Sequence, residues 1–310
     1  TILITGGLGF IGQHLIRRLI KDTDTRISIV AKRKSSPSSF SDLLSSRVTI
    51  IQGDVREKAI IEDAVSRASI VIHLAAVHSS STPVQEMLNI NVIGTANILE
   101  ACTMHPVKKM IYMSSAGVYG ESGISRTIDE SDALSPINPY AISKMAAERL
   151  LYYYFLTKKL PVVTVRPFNV YGPGQQVSQM VPLFVTKLLA GEPIYLNHGG
   201  KQKRDWIDVE DIVSAIVSIT VSKNEQIIGE VFNLGSGISV SVREVAKMIV
   251  RLLGVDKSLI IDSTESAPEI FDSIADCTKI KKMLGWKPVI SLPAGLKKTV
   301  EWYQERISNY

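Results

Sequence analysis

The sequence has little that would indicate a secreted, membrane-spanning or metal-binding protein. It contains only two cysteines, Cys102 and Cys277, far apart in the chain, so a disulfide framework is excluded. Two thiols in a reducing compartment, and therefore a cytoplasmic location, are expected. No run approaches the roughly 18 apolar residues that a membrane span requires. The five histidines have no metal-ligand spacing, so no metal site is predicted.

Charge of neither sign dominates the chain. Its 310 residues carry 35 Lys and Arg against 30 Asp and Glu, a net charge of +5, with one local basic cluster at residues 32–34. We therefore expect no nucleic-acid partner, whereas a small anionic ligand such as a nucleotide would suit this charge. Hydrophobic residues make up 45% of the chain, enough for a sizeable core. One elaborated domain or two domains are expected at this length.

Strand-like and helix-like patterns alternate in the first half of the sequence. Short β-branched runs predict strands over residues 1–5, 26–31, 48–51, 70–74, 109–114 and 162–166. Helical patterns occur at residues 11–21, 84–104 and 140–159. Because strands that alternate with helices pair in parallel through right-handed crossovers, the sequence predicts an α/β fold with a Rossmann-like doubly wound parallel sheet.

After residue 166 the elements become shorter and are separated by glycine and proline. These residues cluster at 171–174, 191–193 and 199–200, and a last helix is predicted at 292–307. We expect residues 1–166 to form a nucleotide-binding Rossmann domain. Residues 167–310 are expected to form a smaller mixed α/β region that binds substrate, with some of its elements returning to the sheet.

A glycine-rich segment follows the first predicted strand and opens the first predicted helix. Gly6, Gly9 and Gly12 have the spacing that allows a tight turn, close approach of the backbone to a pyrophosphate, and close packing of the helix on the strand. The first helical residues, Phe10 and Ile11, would present backbone N–H groups to a phosphate. The segment predicts a dinucleotide-binding loop, with a purely structural turn as the alternative.

The end of the second predicted strand is the position that selects the ribose of a dinucleotide. A carboxylate there favours NAD, but this chain has Ala31 followed by Lys32 and Arg33. The two cations would attract a 2′-phosphate and favour NADP over NAD; a solvated basic loop is the alternative. Asp54, after the third strand, is predicted either to accept a hydrogen bond from the adenine amino group or to cap the next helix.

Tyr140 and Lys144 are four residues apart and share one face of a predicted helix. A nearby ammonium would lower the pKa of Tyr140 from about 10 toward neutrality. Such a tyrosine can exchange a proton with an alcohol while a nicotinamide exchanges a hydride. Ser114 and Ser115 end the fifth strand, at the sheet edge where active sites lie, and a hydroxyl there could bind the reacting oxygen. An ordinary amphipathic helix is the alternative for the Tyr and Lys spacing.

Further motifs follow in order at residues 73–76, 91–95, 114–120, 166–173, 204–209 and 284–286. With the glycine-rich segment and residues 140–144, they make the sequence resemble the extended short-chain dehydrogenase/reductase family, in its nucleotide-sugar epimerase/dehydratase branch. The resemblance covers essentially the whole chain. It implies a bound NADP or NAD, a nucleotide-sugar substrate and a homodimer.

The resemblance implies a role for each matching residue. Ser115, Tyr140 and Lys144 match the catalytic residues. The implied cofactor contacts, beyond those already named, are Val55, Leu74, Ala75, Ala76, Asn91, Ser114, Tyr140, Lys144, Pro167 and Phe168. The implied substrate contacts are His78, Ser115, Ala116, Asn169, Val181 and Arg204. The alternatives are a turn cap for Asn169, an ion pair with Asp208 or Asp211 for Arg204, and an exposed loop position for His78.

The sequence departs from the family pattern beside Ser115. Sugar 4,6-dehydratases usually carry Asp-Glu directly after this position for the elimination step, whereas this chain has Ala116 and Gly117, which cannot transfer a proton. Residues 265–269 lack an Arg that relatives use to hold the diphosphate, and the loop at 77–83 is short. We therefore expect an epimerase that inverts C4 of a nucleotide sugar through a transient 4-keto sugar. An NADP-dependent 4-keto-sugar-nucleotide reductase and a non-catalytic nucleotide-sensing module are the alternatives.

The helix that carries Tyr140 also has an apolar run at residues 150–155. Relatives dimerise through this helix and the one before it. The run is therefore expected either to form a homodimer interface or to pack against the sheet.

Overall fold

The computed structural model describes residues 1–32, 46–79, 81–121, 126–263 and 270–307. Arg33 and residues 265–269, on which two of the predictions depend, lie outside the described residues. The strands of the described part are β1 (Ile2–Thr5), β2 (Ile27–Ala31), β3 (Val48–Gln52), β4 (Ile70–His73), β5 (Lys109–Met113), β6 (Thr127–Ile128), β7 (Val162–Pro167), β8 (Asn169–Tyr171), β9 (Ile194–Leu196), β10 (Lys203–Asp208), β11 (Val231–Leu234), β12 (Ser239–Ser241), β13 (Ile260–Asp262) and β14 (Ile274–Ala275).

The main sheet has seven strands in the order β11-β7-β5-β4-β1-β2-β3. All of its pairs are parallel; Ile4 of β1, for example, lies opposite Ile29 of β2 and Ile72 of β4. A three-stranded sheet, β12-β10-β8, lies beside the cleft, and two short pairs, β13-β9 and β14-β6, complete the strands described. The predicted doubly wound parallel sheet is confirmed, and its predicted strands agree with the observed ones to within one residue at each end.

The helices of the described part are α1 (Phe10–Asp22), α2 (Lys58–Ser66), α3 (Val84–Leu88), α4 (Gly94–Met104), α5 (Pro139–Lys158), α6 (Met180–Leu189), α7 (Val209–Val221), α8 (Val242–Leu253), α9 (Thr278–Leu284) and α10 (Leu292–Ile307). A π-helical turn, Asn89–Ile93, joins α3 to α4, so the helix predicted over 84–104 is interrupted at its centre. Such turns redirect side chains and often occur at functional sites.

Helices cover both faces of the main sheet, which explains why its strands are apolar on both sides. On one face α1 and α7 bury residues such as Leu15 and Ile216 against Ile4 and Ile29. On the other face α2, α4 and α5 bury a second set, including Leu99, against strand side chains. A third apolar cluster lies between α6, α8 and α10. The cleft between the sheet and this third cluster contains the candidate site.

The proposed division at residue 166 falls inside β7, which continues to Pro167. From the C-terminal part, α7 and β11 return to the main sheet, where β11 pairs with β7. The two-part division stays a prediction. In the described part of the chain, we find no helix that is both long enough and apolar enough to cross a membrane.

Candidate active site

The turn after β1 requires glycine at two of the three predicted positions. Gly6 has φ +70°, and a Cβ there would lie 2.6 Å from the backbone N of Ala75. A Cβ on Gly12 would lie 2.5 Å from the carbonyl oxygen of Gly7. Gly9 is the N-cap residue of α1 and offers no side-chain cap. The first-turn N–H groups of α1, at Phe10 and Ile11, are therefore left for an anion, as a pyrophosphate site requires.

A cavity of about 340 Å³ opens beside this turn at the carboxyl ends of β1, β2 and β4. Its lining includes Gly6, Gly9, Ala31, Lys32, Asp54, Val55, Leu74, Ala75 and Ala76. All of these except Ala31 are predicted cofactor contacts, eight in number, and the small side chains on one wall leave room for an adenosine. The residues present fit a bound dinucleotide.

Asp54 is held by two cations at the rim of this cavity. Its Oδ2 lies 3.0 Å from Lys32 Nζ and 2.9 Å from Arg56 Nη2, and its Oδ1 accepts from the Arg56 backbone N at 2.9 Å. Burial acts to raise the pKa of Asp54, but the bonds from Arg56 and Lys32 outweigh it and hold that pKa well below its usual range. The predicted helix cap is wrong, because α2 begins at Lys58 with Glu57 as its N-cap residue.

The three predicted catalytic residues come together from two elements. Ser115 follows β5 and caps a short 3₁₀ turn, Ala116–Tyr119, by accepting from Gly117 N at 3.1 Å. Tyr140 begins α5, whose N-cap Asn138 accepts from Ala141 N at 2.9 Å. The two side chains lie close enough for the Ser115 hydroxyl to act on the Tyr140 phenol. The 3₁₀ turn and the capped helix end therefore bring both hydroxyls to one point at the edge of the sheet.

Lys144 lies one turn along α5, fully buried beneath Tyr140. Its Nζ donates to the Met113 carbonyl oxygen at 2.7 Å. The same Nζ is 4.8 Å from the ring centroid of Tyr112 and 5.9 Å from that of Tyr140. The ammonium is thus held at the end of β5, with the reactive phenol on the cleft side.

The directions of the pKa shifts correct the prediction from sequence. Burial raises the pKa of Tyr140 to about 12, and the neighbouring Ser115 hydroxyl acts in the opposite direction. Burial also lowers the pKa of Lys144 to about 7, partly countered by the carboxylate of Glu148. In the ligand-free protein the cost of desolvating both charged forms exceeds their mutual stabilisation.

A larger cavity, of about 530 Å³, lies between these hydroxyls and the C-terminal region. It contains five of the six predicted substrate contacts: His78, Ser115, Asn169, Val181 and Arg204. His78 is also edge-on to the Tyr140 ring, at 6.1 Å between centroids. Ala116 is not among the lining residues; it packs instead in an apolar cluster with Val118 and Phe168. Its side chain turns away because the 3₁₀ turn begins there.

Several lining residues were not predicted. Gln175 and Gln179 come from the loop after β8, and Tyr195, Asn197 and Gln202 come from β9 and the segment that follows it. Their sequence signal was the glycine and proline clusters at 171–174, 191–193 and 199–200, which indicate loops but do not show that these loops meet at the cavity. Among the described residues that line this cavity, none is a carboxylate.

Two predicted cofactor residues lie behind the cavities. Asn91, in the π-helical turn, accepts from Val77 N and donates to Val77 O and Ser143 Oγ, each at 2.9 Å. It therefore holds the loop after β4 against α5. The buried Ser114 hydroxyl has no hydrogen-bond partner among the described residues. An orphaned hydroxyl at the end of β5 fits a site that awaits a polar ligand group.

The Asp208 and Asp211 carboxylates, the predicted alternative partners of Arg204, accept hydrogen bonds from backbone N–H groups. Asp208 Oδ1 accepts from Glu210 N at 2.8 Å and caps α7. Asp211 accepts from the backbone N of Val289 and of Ile290, each at 3.0 Å. Arg204 lines the 530 Å³ cavity, and its Nη1 donates to the Lys203 carbonyl oxygen at 2.8 Å. Arg204 is thus placed to meet an anionic group in the cavity.

The parallel sheet, the glycine turn and the paired hydroxyls define an NAD(P)-dependent enzyme of the extended short-chain dehydrogenase/reductase type. Residues 2–235 match the model of the NAD dependent epimerase/dehydratase family, and the chain belongs to that family. It is similar to the dTDP-D-glucose 4,6-dehydratase of Mus musculus, at 33% identity over 100% of this chain and 90% of that protein. It is also similar to a UDP-N-acetyl-alpha-D-glucosaminuronate decarboxylase of Bacillus cytotoxicus, at 33% identity over 98% and 97% of the two chains.

Solved structures of nucleotide-sugar enzymes have the same fold as this chain. UDP-glucose 4-epimerase from Thermotoga maritima, solved with UDP-glucose, superposes with a TM-score of 0.90 at 31% identity, covering 99% of each chain. DesIV, a dTDP-glucose 4,6-dehydratase from Streptomyces venezuelae solved with NAD bound, gives 0.93 at 27% identity, covering 100% of this chain and 98% of that one. Nucleotide-sugar epimerases and dehydratases are both neighbours.

Proposed function

We propose that this protein is an NAD(P)-dependent nucleotide-sugar epimerase that inverts C4 through a transient 4-keto sugar. The observation that carries the proposal is the lining of the 530 Å³ cavity, in which no described residue is a carboxylate. Dehydration of a 4-keto sugar needs a base to remove the C5 proton and an acid to protonate the leaving hydroxyl. Ala116 and Gly117 supply neither group. Epimerisation needs no such pair, since the Ser115 and Tyr140 hydroxyls can handle the C4 proton while bound NAD(P) would supply the hydride transfer.

Each of the named residues has its own role in the proposed reaction. Tyr140 exchanges the proton of the C4 hydroxyl, and Ser115 binds the same oxygen as its charge changes; general acid–base catalysis of this kind supplies about 10²–10⁴-fold. When bound, NAD(P) supplies hydride transfer and a positive charge near the phenol. Arg204 binds the diphosphate, and the apolar walls at Val181, Phe184 and Trp206 leave a keto sugar free to present either face.

Direct product analysis tests the proposal. Purified protein is incubated with UDP-glucose, UDP-glucuronic acid or dTDP-glucose and products are followed by NMR, with Tyr140→Phe as the matched inactive control. A 4-epimer without net change in NAD(P)H is expected. A 4-keto-6-deoxy product would instead identify a dehydratase, and steady NADPH consumption with a 4-keto sugar nucleotide a reductase. Nucleotide-sugar binding without turnover would leave only a sensing module.

For the cofactor we propose a preference for NADP. Support comes from Ala31, where NAD sites carry an acid, and from Lys32, whose side chain is 55% exposed at the cavity rim. Because Lys32 also forms an ion pair with Asp54, only a modest preference for NADP over NAD is expected. Calorimetric titration with NAD and NADP is the test; equal or tighter NAD binding by the wild type, or an unchanged ratio in Lys32→Ala, contradicts it.

We also propose a homodimer formed through α4 and α5. Within the apolar run of α5, Leu151 is buried against the sheet, while Tyr152 and Tyr153 are each 54% exposed. Met104 of α4 and Leu156 of α5 are also exposed. Aromatic side chains of this kind stabilise interfaces when they are covered. Light scattering that gives a monomer mass would contradict the proposal.

A further inference from the structure

A buried polar network lies behind the catalytic residues, on the side away from the cleft. Arg166 of β7 makes a two-bond ion pair with Glu148 of α5, with Nε–Oε1 at 3.0 Å and Nη2–Oε2 at 2.6 Å. Its Nη1 donates to the Tyr119 hydroxyl at 2.8 Å, which in turn donates to Asn233 Oδ1 of β11 at 2.7 Å. The guanidinium also lies 4.8 Å from the centroid of the Tyr119 ring. We call Glu148, Arg166, Tyr119 and Asn233 the Arg166 network.

The Arg166 network joins the two elements that carry the catalytic hydroxyls. Glu148 lies one helical turn beyond Lys144 on α5, so it shares the helix of Tyr140. Tyr119 ends the 3₁₀ turn that begins directly after Ser115. Arg166 of β7 thus binds both elements, α5 through Glu148 and the 3₁₀ turn through Tyr119.

Stability alone does not account for a charged pair at this position. Side chains of Arg166 and Glu148 are 5% and 7% exposed. Removing both charges from water carries a desolvation cost that a well-packed apolar pair would avoid. What the ion pair adds is geometry, because a guanidinium forms directed bonds in one plane to several partners at once.

We infer that Arg166 is a positioning residue, which fixes the separation of the Ser115 and Tyr140 hydroxyls by holding the 3₁₀ turn and α5 to the same strand. The predicted effect on catalysis rests on the proposed function. The predicted effect on the packing of the 3₁₀ turn against α5 does not depend on it. Glu148 has a second effect, since its carboxylate is the charged group closest along the helix to Lys144. Loss of an ångström of alignment between reacting groups lowers rates by about 100-fold.

The groups around Lys144 allow the electrostatic effect of Glu148 on Lys144 to be distinguished from a purely structural role of Glu148. Lys144 faces Tyr140 and Glu148 from α5, Tyr112 from β5 and His73 from β4. Burial and the nearby Lys144 lower the pKa of His73 to about 3, so His73 stays neutral between Thr5 and Thr95. Glu148 is the only negative charge among these four residues. Its removal should let Lys144 lose its proton at a lower pH.

The test uses Tyr119→Phe and Arg166→Lys, with Asp211→Asn as a control that alters a different buried, hydrogen-bonded side chain away from the cavity. With UDP-glucose as the probe, Tyr119→Phe should lower kcat about 10-fold and Arg166→Lys about 100-fold, with KM changed less than about 2-fold. Asp211→Asn should lower Tm and leave kcat unchanged. Unchanged kcat in both network variants, or an equal loss in the control, would overturn the inference.

Two readouts separate this inference from the proposed function. Deuterium exchange at residues 115–120 should accelerate in Tyr119→Phe and not in Asp211→Asn, whether or not UDP-glucose is turned over; unchanged exchange overturns the positioning role. Glu148→Gln should move the alkaline limb of the kcat profile to lower pH, and Glu148→Asp should restore it. An unmoved limb in Glu148→Gln overturns the link to Lys144.

Discussion

Replacing Lys144 by methionine should stabilise the ligand-free protein at about pH 6 and change it little at about pH 9. Burial lowers the pKa of Lys144 from 10.5 to about 7, equivalent to about 5 kcal/mol of unfavourable free energy for the charged form. The unfolded chain therefore binds more protons than the folded protein between these two pKa values. It follows that the contribution of Lys144 to the free energy of unfolding rises with pH across that range.

The size of the effect follows from the same values. At about pH 9 Lys144 is neutral in the folded protein and charged in the unfolded chain, and its deprotonation on folding costs only about 2 kcal/mol. Methionine leaves the Met113 carbonyl oxygen without its partner, a loss of about 1–3 kcal/mol at either pH. The free energy of unfolding of Lys144→Met should thus exceed that of the wild type by about 2–4 kcal/mol at about pH 6. This difference should be smaller by about 3 kcal/mol at about pH 9.

Urea unfolding at a series of pH values measures this difference. Lys109→Met is the matched control, because Lys109 is a second buried lysine, whose Nζ donates to Ile219 O at 2.6 Å and Ser222 O at 3.0 Å away from the cleft. Lys109→Met should retain turnover, whereas Lys144→Met should lose it. A Lys144→Met variant that is less stable than wild type at about pH 6, or an advantage that does not shrink with rising pH, would refute the reasoning.

Three further changes have defined outcomes. Gly6→Ala should abolish dinucleotide binding in calorimetry, because its Cβ would lie 2.6 Å from Ala75 N; retained affinity would contradict the close approach described. Arg204→Ala should raise KM for UDP-glucose about 10-fold or more with kcat nearly unchanged, as expected for loss of a charge-assisted bond of about 1.5–3 kcal/mol. Asn91→Ala removes three hydrogen bonds and should lower the free energy of unfolding by about 3 kcal/mol, measured in urea; an unchanged value would mean that the loop after β4 is held by other contacts.

The parts of the fold that local sequence patterns determine were predicted closely. Most strands of the main sheet are apolar runs because both of their faces are buried, and such runs have clear ends. The edge strand β3, in which Ile50 is 42% exposed, is an exception. The glycine turn was predictable because close approach at Gly6 and Gly12 excludes any other residue. Ser115 and Tyr140 could be placed together because parallel strands bring their carboxyl ends to one edge.

Features that depend on long-range contacts could not be predicted. Arg166 meets Glu148 and Tyr119 across sequence separations of 18 and 47 residues. Tyr119 and Arg166 lie in the motifs at 114–120 and 166–173, but neither motif indicates that the two side chains meet. The direction of the Tyr140 pKa shift was wrong for a similar reason, since it depends on how deeply α5 buries the phenol. Asn91 was assigned to the cofactor because its motif was recognised, but its contacts are determined by the π-helical turn.

The route of the chain between the two sheets limits how this protein could be redesigned. Phe168 alone separates β7 of the main sheet from β8 of the three-stranded sheet, and its backbone N donates to Leu234 O of β11 at 2.9 Å. A chimera that exchanged everything after residue 167 with a relative would also replace the edge strand β11 and the covering helix α7. Substrate preference should therefore be transferred by replacing residues 168–208, 235–276 and 287–307 together. Residues 209–234 and 277–286, which pack on the cofactor-binding sheet, should stay.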